Sequence, residues 1–207
     1  MDKKKEIING AKALVLKRGY KNVSVEDITN HIGIAKGSFY TYFKSKNSLI
    51  NYILEEKVVK IKRKMNSFFK NVNNIDEAIE KLVKIKLVLK NEDDIKSDLM
   101  MVSFFRNIDS LDKETVKIFF EMETVSTNFI QKILMRYQDE LKIKKSEMVF
   151  YSKMIHGLIT NYKVFDLFIS KERDFIRTTV ELEKKYKTVK FKNDMEIIVR
   201  SIIKILK

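Results

Sequence analysis

The stretch Gly33-Ile34-Ala35-Lys36-Gly37-Ser38-Phe39-Tyr40-Thr41-Tyr42-Phe43-Lys44-Ser45-Lys46 decides the fold of this chain. Gly33 is placed to end one helix, Ala35 to Tyr42 has the length of a short helix that begins after a three-residue break, and Ser45 is placed to cap the next. Upstream, Ser24-Val25-Glu26-Asp27 has the spacing of a capping box, with both acids in the first turn where the helix dipole favours them. Two short helices joined by a tight glycine-containing turn make a helix-turn-helix over about residues 24–43. Ile28, Ile32, Ile34 and Phe39 have the spacing to lock its two helices together. A first helix over about Lys3–Arg18 precedes them, with Ile7, Ile8, Ala11, Leu14 and Val15 on one face and Gly19 placed to close it in a left-handed cap.

Helix-turn-helix geometry also occurs in bundles that never meet nucleic acid, so residue content has to decide. The third helix carries Lys36, Ser38, Tyr40, Thr41 and Tyr42. So small a helix does not need these donors for stability; they suit phosphates and base edges in a major groove. Net charge, +14 over 207 residues, is compatible with a polyanionic partner. Abundant lysine, asparagine and isoleucine are also what an AT-rich genome encodes, so bulk charge alone decides little. Its distribution says more: residues 1–50 hold ten Lys/Arg against four acids, a net charge per residue more than twice that of the remainder.

Outward from the head, apolar residues recur at intervals of three and four and no stretch alternates long enough to insist on a strand, so the chain is expected to be all-α. Ser45 opens a long fourth helix through Leu49, Ile50, Ile53 and Leu54, which runs without a breaker from head to body. Asn/Asp-rich punctuation then predicts helices near 76–90, 94–108, 112–138, 146–170 and 194–206. Between Lys171 and Asn193 the reading stays open: Phe175, Ile176, Val180 and Tyr186 could lie on a further helix, while Thr188 to Lys192 looks irregular or extended. The division expected is a DNA-binding head over 1–60 and a body over 61–207. The chain has no cysteine and no proline, which removes disulfides and thiolate chemistry. No signal-peptide core and no run of about 18 apolar residues is seen, so a cytoplasmic location without membrane insertion is expected.

With these residues in view, the chain resembles the TetR family of bacterial transcriptional regulators. Ile7-Ile8-Asn9-Gly10-Ala11, Leu14, Gly19-Tyr20, Ser24-Val25, Ile28, then Gly33 to Lys46 and Leu49 follow the family pattern almost position by position, over about the first 50 residues. The resemblance implies an N-terminal three-helix head joined by the fourth helix to an α-helical body for ligand binding and dimerisation. It implies DNA contact from the segment holding Ser24, Ala35, Lys36, Gly37, Ser38, Tyr40, Thr41 and Tyr42, with Lys46 reaching the DNA backbone. Gly37 has its own physical sense, since no side chain blocks close approach to DNA. The sequence departs from the pattern at four positions. Ala35 stands where Ser or Thr is usual and loses a cap; Thr29 and Ile32 replace alanines, altering how the helices cross; Asn47 replaces a common glutamate.

The resemblance also implies a homodimer paired through its last two long helices, a palindromic operator in double-stranded DNA and a small-molecule effector. Met195, Ile198, Val199, Ile202 and Leu206 form one stripe on the final helix, widened by Ile197, Ile203 and Ile205. Tyr151, Ile155, Leu158, Tyr162, Phe165 and Ile169 form another, with Gly157 at its edge. Without the family, both also read as internal core faces. Candidate ligand contacts are Met100, Met101, Phe104, Phe105, Phe119, Met122, Glu123, Tyr151 and Met154, a set that equally describes ordinary core. Glu123 falls among the apolar positions of its helix, so it has to pair, neutralise or meet a cation. A salt bridge to Arg106 and a ligand-facing acid selecting cationic lipophiles are the two readings.

Enzyme chemistry has little material here. His31 and His156 are the only histidines, glycines number five, and no phosphate-cradling loop is present. His31 suits a helix C-terminus and His156 projects to the polar side of its helix, so no cofactor or metal is expected. The main expectation is a ligand-released homodimeric repressor. The alternatives are an architectural DNA binder of the same fold without an effector, and a helical module attracted to an anionic membrane surface.

Overall fold

A computed structural model describes residues 2–106, 108–168 and 179–207, the side chains of Phe105, Arg106 and Thr179 excepted. The described residues are helical and contain no strand. The helices are α1 (Lys3–Arg18), α2 (Val25–Ile32), α3 (Lys36–Tyr40), α4 (Lys46–Asn66), α5 (Ile75–Leu87), α6 (Glu92–Arg106), α7 (Lys113–Arg136), α8 (Met148–Tyr162), α9 (Thr179–Tyr186) and α10 (Val189–Leu206). Contacts divide the chain into two units, Met1–Lys60 with Asp93–Met122, and Ile61–Glu92 with Glu123–Lys207. The first unit thus holds α6 and the start of α7 in addition to residues 1–60.

In the first unit, Ile7, Ala11, Leu14, Ile28, Phe39, Leu49 and Ile53 share one core with Met100, Phe104 and Ile118. Helix ends follow the caps that their residues supply. Ser24 and Asp27 close a reciprocal box: the Asp27 N–H donates to Ser24 Oγ at 3.0 Å and the Ser24 N–H donates to Asp27 Oδ2 at 2.8 Å. Gly33 ends α2 in the left-handed region at φ 71 and ψ 37. Gly19 ends α1 at φ 79 but ψ 155, a positive φ outside the left-handed helical well that was expected. Ser45 and Ser48 cap α4 reciprocally, each N–H donating to the other hydroxyl at 2.9 and 3.0 Å.

At Gly10 of α1 a Cβ would lie 2.6 Å from Ile32 Cγ2 on α2. The branched Ile32 in place of a small residue is thus matched by a missing side chain on the facing helix. Thr29, fully buried, satisfies its hydroxyl on the Glu26 carbonyl at 3.0 Å, so neither departure leaves a defect.

In the second unit α10 lies along α5, burying Phe191, Ile198, Ile202 and Leu206. Helix α8 buries Met148, Ser152, Ile155, His156 and Ile159 and continues as a π-helical segment over Lys163–Phe168. Two expectations are corrected. Thr188 to Lys192 is not irregular: the Thr188 hydroxyl accepts from the Phe191 N–H at 3.1 Å and α10 starts at Val189. Ile198, Ile202 and Leu206, expected in a dimer face, belong to the core of the single chain; the outward positions of α10 are Val189, Ile197 and Ile205. On α8 the outward apolar residues are Phe150, Leu158 and Phe165. Ile169, expected on that stripe, lies outside the described residues.

Candidate nucleic-acid interface

Helix α3 is five residues long, shorter than expected at its C-terminal end, and Ala35 at its N-cap makes no side-chain bond. The turn after it is closed by the N–H groups of Tyr42 and Phe43, both donating to the Phe39 carbonyl at 3.0 Å. Phe39 and Phe43 point inward and Phe39 is completely buried. That anchoring leaves the opposite side to polar groups: Tyr40 is 51% and Tyr42 40% exposed, and Lys36, Gly37 and Thr41 are exposed beside them. Ser38 is half-buried. A Cβ built on Gly37 meets no atom within 4 Å. Lys36 approaches Glu26 at 3.7 Å across open solvent, a weak pair that leaves the ammonium available to a phosphate.

Two expected contacts are placed differently. The Ser24 hydroxyl is taken up in its cap, accepting from the Asp27 N–H and donating to the Asp27 carboxylate at 2.5 Å. These bonds from Ser24, with Arg18 behind them, hold the Asp27 carboxyl below its ordinary range. Lys46, expected on the DNA backbone, donates to the Tyr20 carbonyl at 3.1 Å and lies over the Tyr20 ring, 4.2 Å from its centroid. Burial lowers its pKa. The link to Tyr20 was not read from the sequence, because Tyr20 sits 26 residues away in a single 3-10 turn.

The expected ligand contacts fall in both units. Met100 and Phe104 fill the core of the first unit with Met101 packed against it, and the Phe104 and Tyr20 rings lie edge to face at 5.5 Å. Phe119 and Met122 are buried in that same unit. Phe105 and Arg106 side chains lie outside the described residues. Glu123, Tyr151 and Met154 belong to the second unit and are half-buried. Glu123 Oε2 lies 2.7 Å from His156 Nε2, and Lys86 Nζ lies 3.3 Å from His156 Nδ1. An ammonium only donates, so Nδ1 accepts and the neutral ring donates from Nε2 to the carboxylate. His156 was expected on a polar face and is buried; its spacing of four from Ser152 and three from Ile159 is the signal that places it inward.

The site is a short helix held by buried phenylalanines, with two tyrosines, a threonine and a lysine turned outward on it and on the turn that follows. The family model for bacterial regulatory proteins of the tetR family matches residues 7–53. Over 49 residues the chain is 45% identical to the uncharacterized HTH-type transcriptional regulator YwcC of Bacillus subtilis strain 168, covering 24% of this chain and 22% of that protein. YerO of the same organism, also named an HTH-type transcriptional regulator, is 26% identical over 168 residues, 78% of this chain and 55% of that one. The chain thus spans from about a fifth to about half of the length of these curated relatives. In fold it is similar to reduced NemR of E. coli, with a TM-score of 0.70 over 100% of this chain and 98% of that one at 13% identity. Residues 7–53 thus match the N-terminal region of the tetR family of bacterial regulatory proteins, and the rest of the chain shares the helical fold of such proteins. No helix among the described residues is long and apolar enough to cross a membrane.

Proposed function

We propose that this protein is a cytoplasmic homodimeric repressor that reads a palindromic operator through α3 and is released from it by a small, largely apolar ligand held in the helical body. The observation that carries the reading is the outward face of α3, where Lys36, Tyr40, Thr41 and Tyr42 stand together around the open Gly37. Pairing of two chains is supported by the apolar residues that α8 and α10 leave exposed, among them Phe165 at 62% and Ile197 at 49%. An exposed apolar surface of this kind marks an interaction site. Gly157 has no neighbour within 4 Å of a built Cβ, so another helix can approach the backbone of α8 there.

Glu123, Tyr151 and Met154 are the ligand contacts retained in this proposal, with the Glu123 carboxylate oriented by His156. The test is substitution on α3. Lys36→Ala should weaken binding to all duplexes alike, as loss of a phosphate contact does. Thr41→Ala or Tyr40→Ala should change preference at particular base pairs, by about 1–3 kcal/mol each. Wild-type affinity and preference in all three variants would place the DNA-reading surface elsewhere.

A further inference from the structure

The first two turns of α4 present Asn47 and Asn51, one turn apart on one face, and both meet the start of α7. Asp112 caps α7, its Oδ1 accepting from the Thr115 N–H at 2.7 Å. Its Oδ2 accepts from Asn47 Nδ2. One turn further along, the hydroxyl of the fully buried Thr115 donates to Asn51 Oδ1 at 2.6 Å. On its other side, Asn47 Oδ1 accepts from the Tyr20 hydroxyl at 2.5 Å. Tyr20 in turn holds Lys46 by its carbonyl and ring.

The direction of each bond follows from the donor inventory. A carboxylate only accepts, so the amide nitrogen of Asn47 faces Asp112 and the amide oxygen faces the phenol. Burial first, then the Asp112 charge, raises the Tyr20 pKa and keeps the phenol a donor. The amide serves both neighbours, as a carboxylate does not. A glutamate at 47 would have no hydrogen to give Asp112 and would bring a second negative charge to it. The departure from the family pattern at this position is therefore matched by its surroundings.

We infer that Asn47 is a positioning residue for DNA binding: its amide fixes the start of α4 between Tyr20 and Asp112 and so sets where α3, five residues upstream, presents its outward face. The inference rests on the DNA-binding reading of α3. It is tested in the full chain with the duplex that the wild-type protein selects from random-sequence DNA as the probe. Asn47→Asp sets two carboxylates against each other and should weaken affinity by about tenfold or more, measured well below the melting temperature of the variant. Adding Asp112→Asn exchanges amide and carboxylate at unchanged net charge and keeps a cap on α7, so affinity should return. Tyr20→Phe should weaken binding as well, and its effect should not add to that of Asn47→Asp.

A residue that merely stabilises the fold would shift the melting temperature in these variants and leave the affinity of the folded protein unchanged. Wild-type affinity in folded Asn47→Asp, or failure of the exchanged pair to restore it, overturns the inference while leaving the operator reading intact. Selection of no duplex by the wild-type protein overturns both.

Discussion

Gly10 and Gly37 are both helical, and opposite surroundings give them opposite expected responses to alanine. At Gly10 a methyl group meets the stiff, branched Ile32 at 2.6 Å, and overpacking of this kind costs about 1–3 kcal/mol. Helix propensity returns about 1 kcal/mol. Gly10→Ala should therefore destabilise by about 1 kcal/mol in urea unfolding. In an Ile32→Ala background the same change should instead stabilise by about 1 kcal/mol; the same sign in both backgrounds would refute the pairing. Gly37 faces open space, so Gly37→Ala should leave the melting temperature unchanged or raised. Its methyl group should reduce affinity for the selected duplex by about tenfold, 1.4 kcal/mol. Undiminished affinity would remove α3 from close contact with DNA.

Among the elements, α8 and α10 carry apolar residues on two sides, and the prediction depends on which side is changed. Ile197→Glu with Ile205→Glu alters exposed positions and should give a folded monomer by sedimentation that has lost operator binding. Ile198→Glu buries a carboxylate in the core against α5 and should unfold the second unit, a loss of several kcal/mol. A dimer that survives the outward pair would move the interface elsewhere. The existence of these helices was legible from their period, and the head was legible nearly to the residue, because a capping box, a terminating glycine and a buried Phe39 are local signals. The facing of α10 was not, because Ile197, Ile198, Ile202 and Ile205 satisfy two stripes at once and only the position of α5 chooses between them. The start of α10 was missed because Thr188 caps it without an acid in the first turn. The partners of Lys46, Asn47 and His156 were not legible because they lie 26, 65 and 33 residues away, beyond any periodic signal.

At the scale of the whole molecule, the closing of the first unit by α6 and α7 depends on charge as well as on apolar packing. Asp93 accepts from Lys12 at 2.5 Å and Lys60 at 2.6 Å, and Lys57 pairs with Asp98. Burial raises the Asp93 pKa, but the hydrogen bonds from Lys12 and Lys60 outweigh it and hold the carboxyl down to about 2 against an ordinary 3.8. A depressed carboxyl stabilises the fold above its unfolded pKa and loses that contribution as pH falls through its folded one. Wild-type stability should therefore drop between about pH 4 and about pH 2 by about 1 kcal/mol on this account, after solvent screening of a partly exposed group. Asp93→Asn should carry that loss already at neutral pH and show a shallower acid limb; an unchanged acid limb would contradict the ion pairs. The central claim is that two copies of α3 read DNA together, and selection from random-sequence duplexes followed by sequencing tests it most directly. An inverted repeat with half-sites about one helical turn, ~10 base pairs, apart is the predicted result. Enrichment of no sequence, or of a single half-site without symmetry, would contradict it.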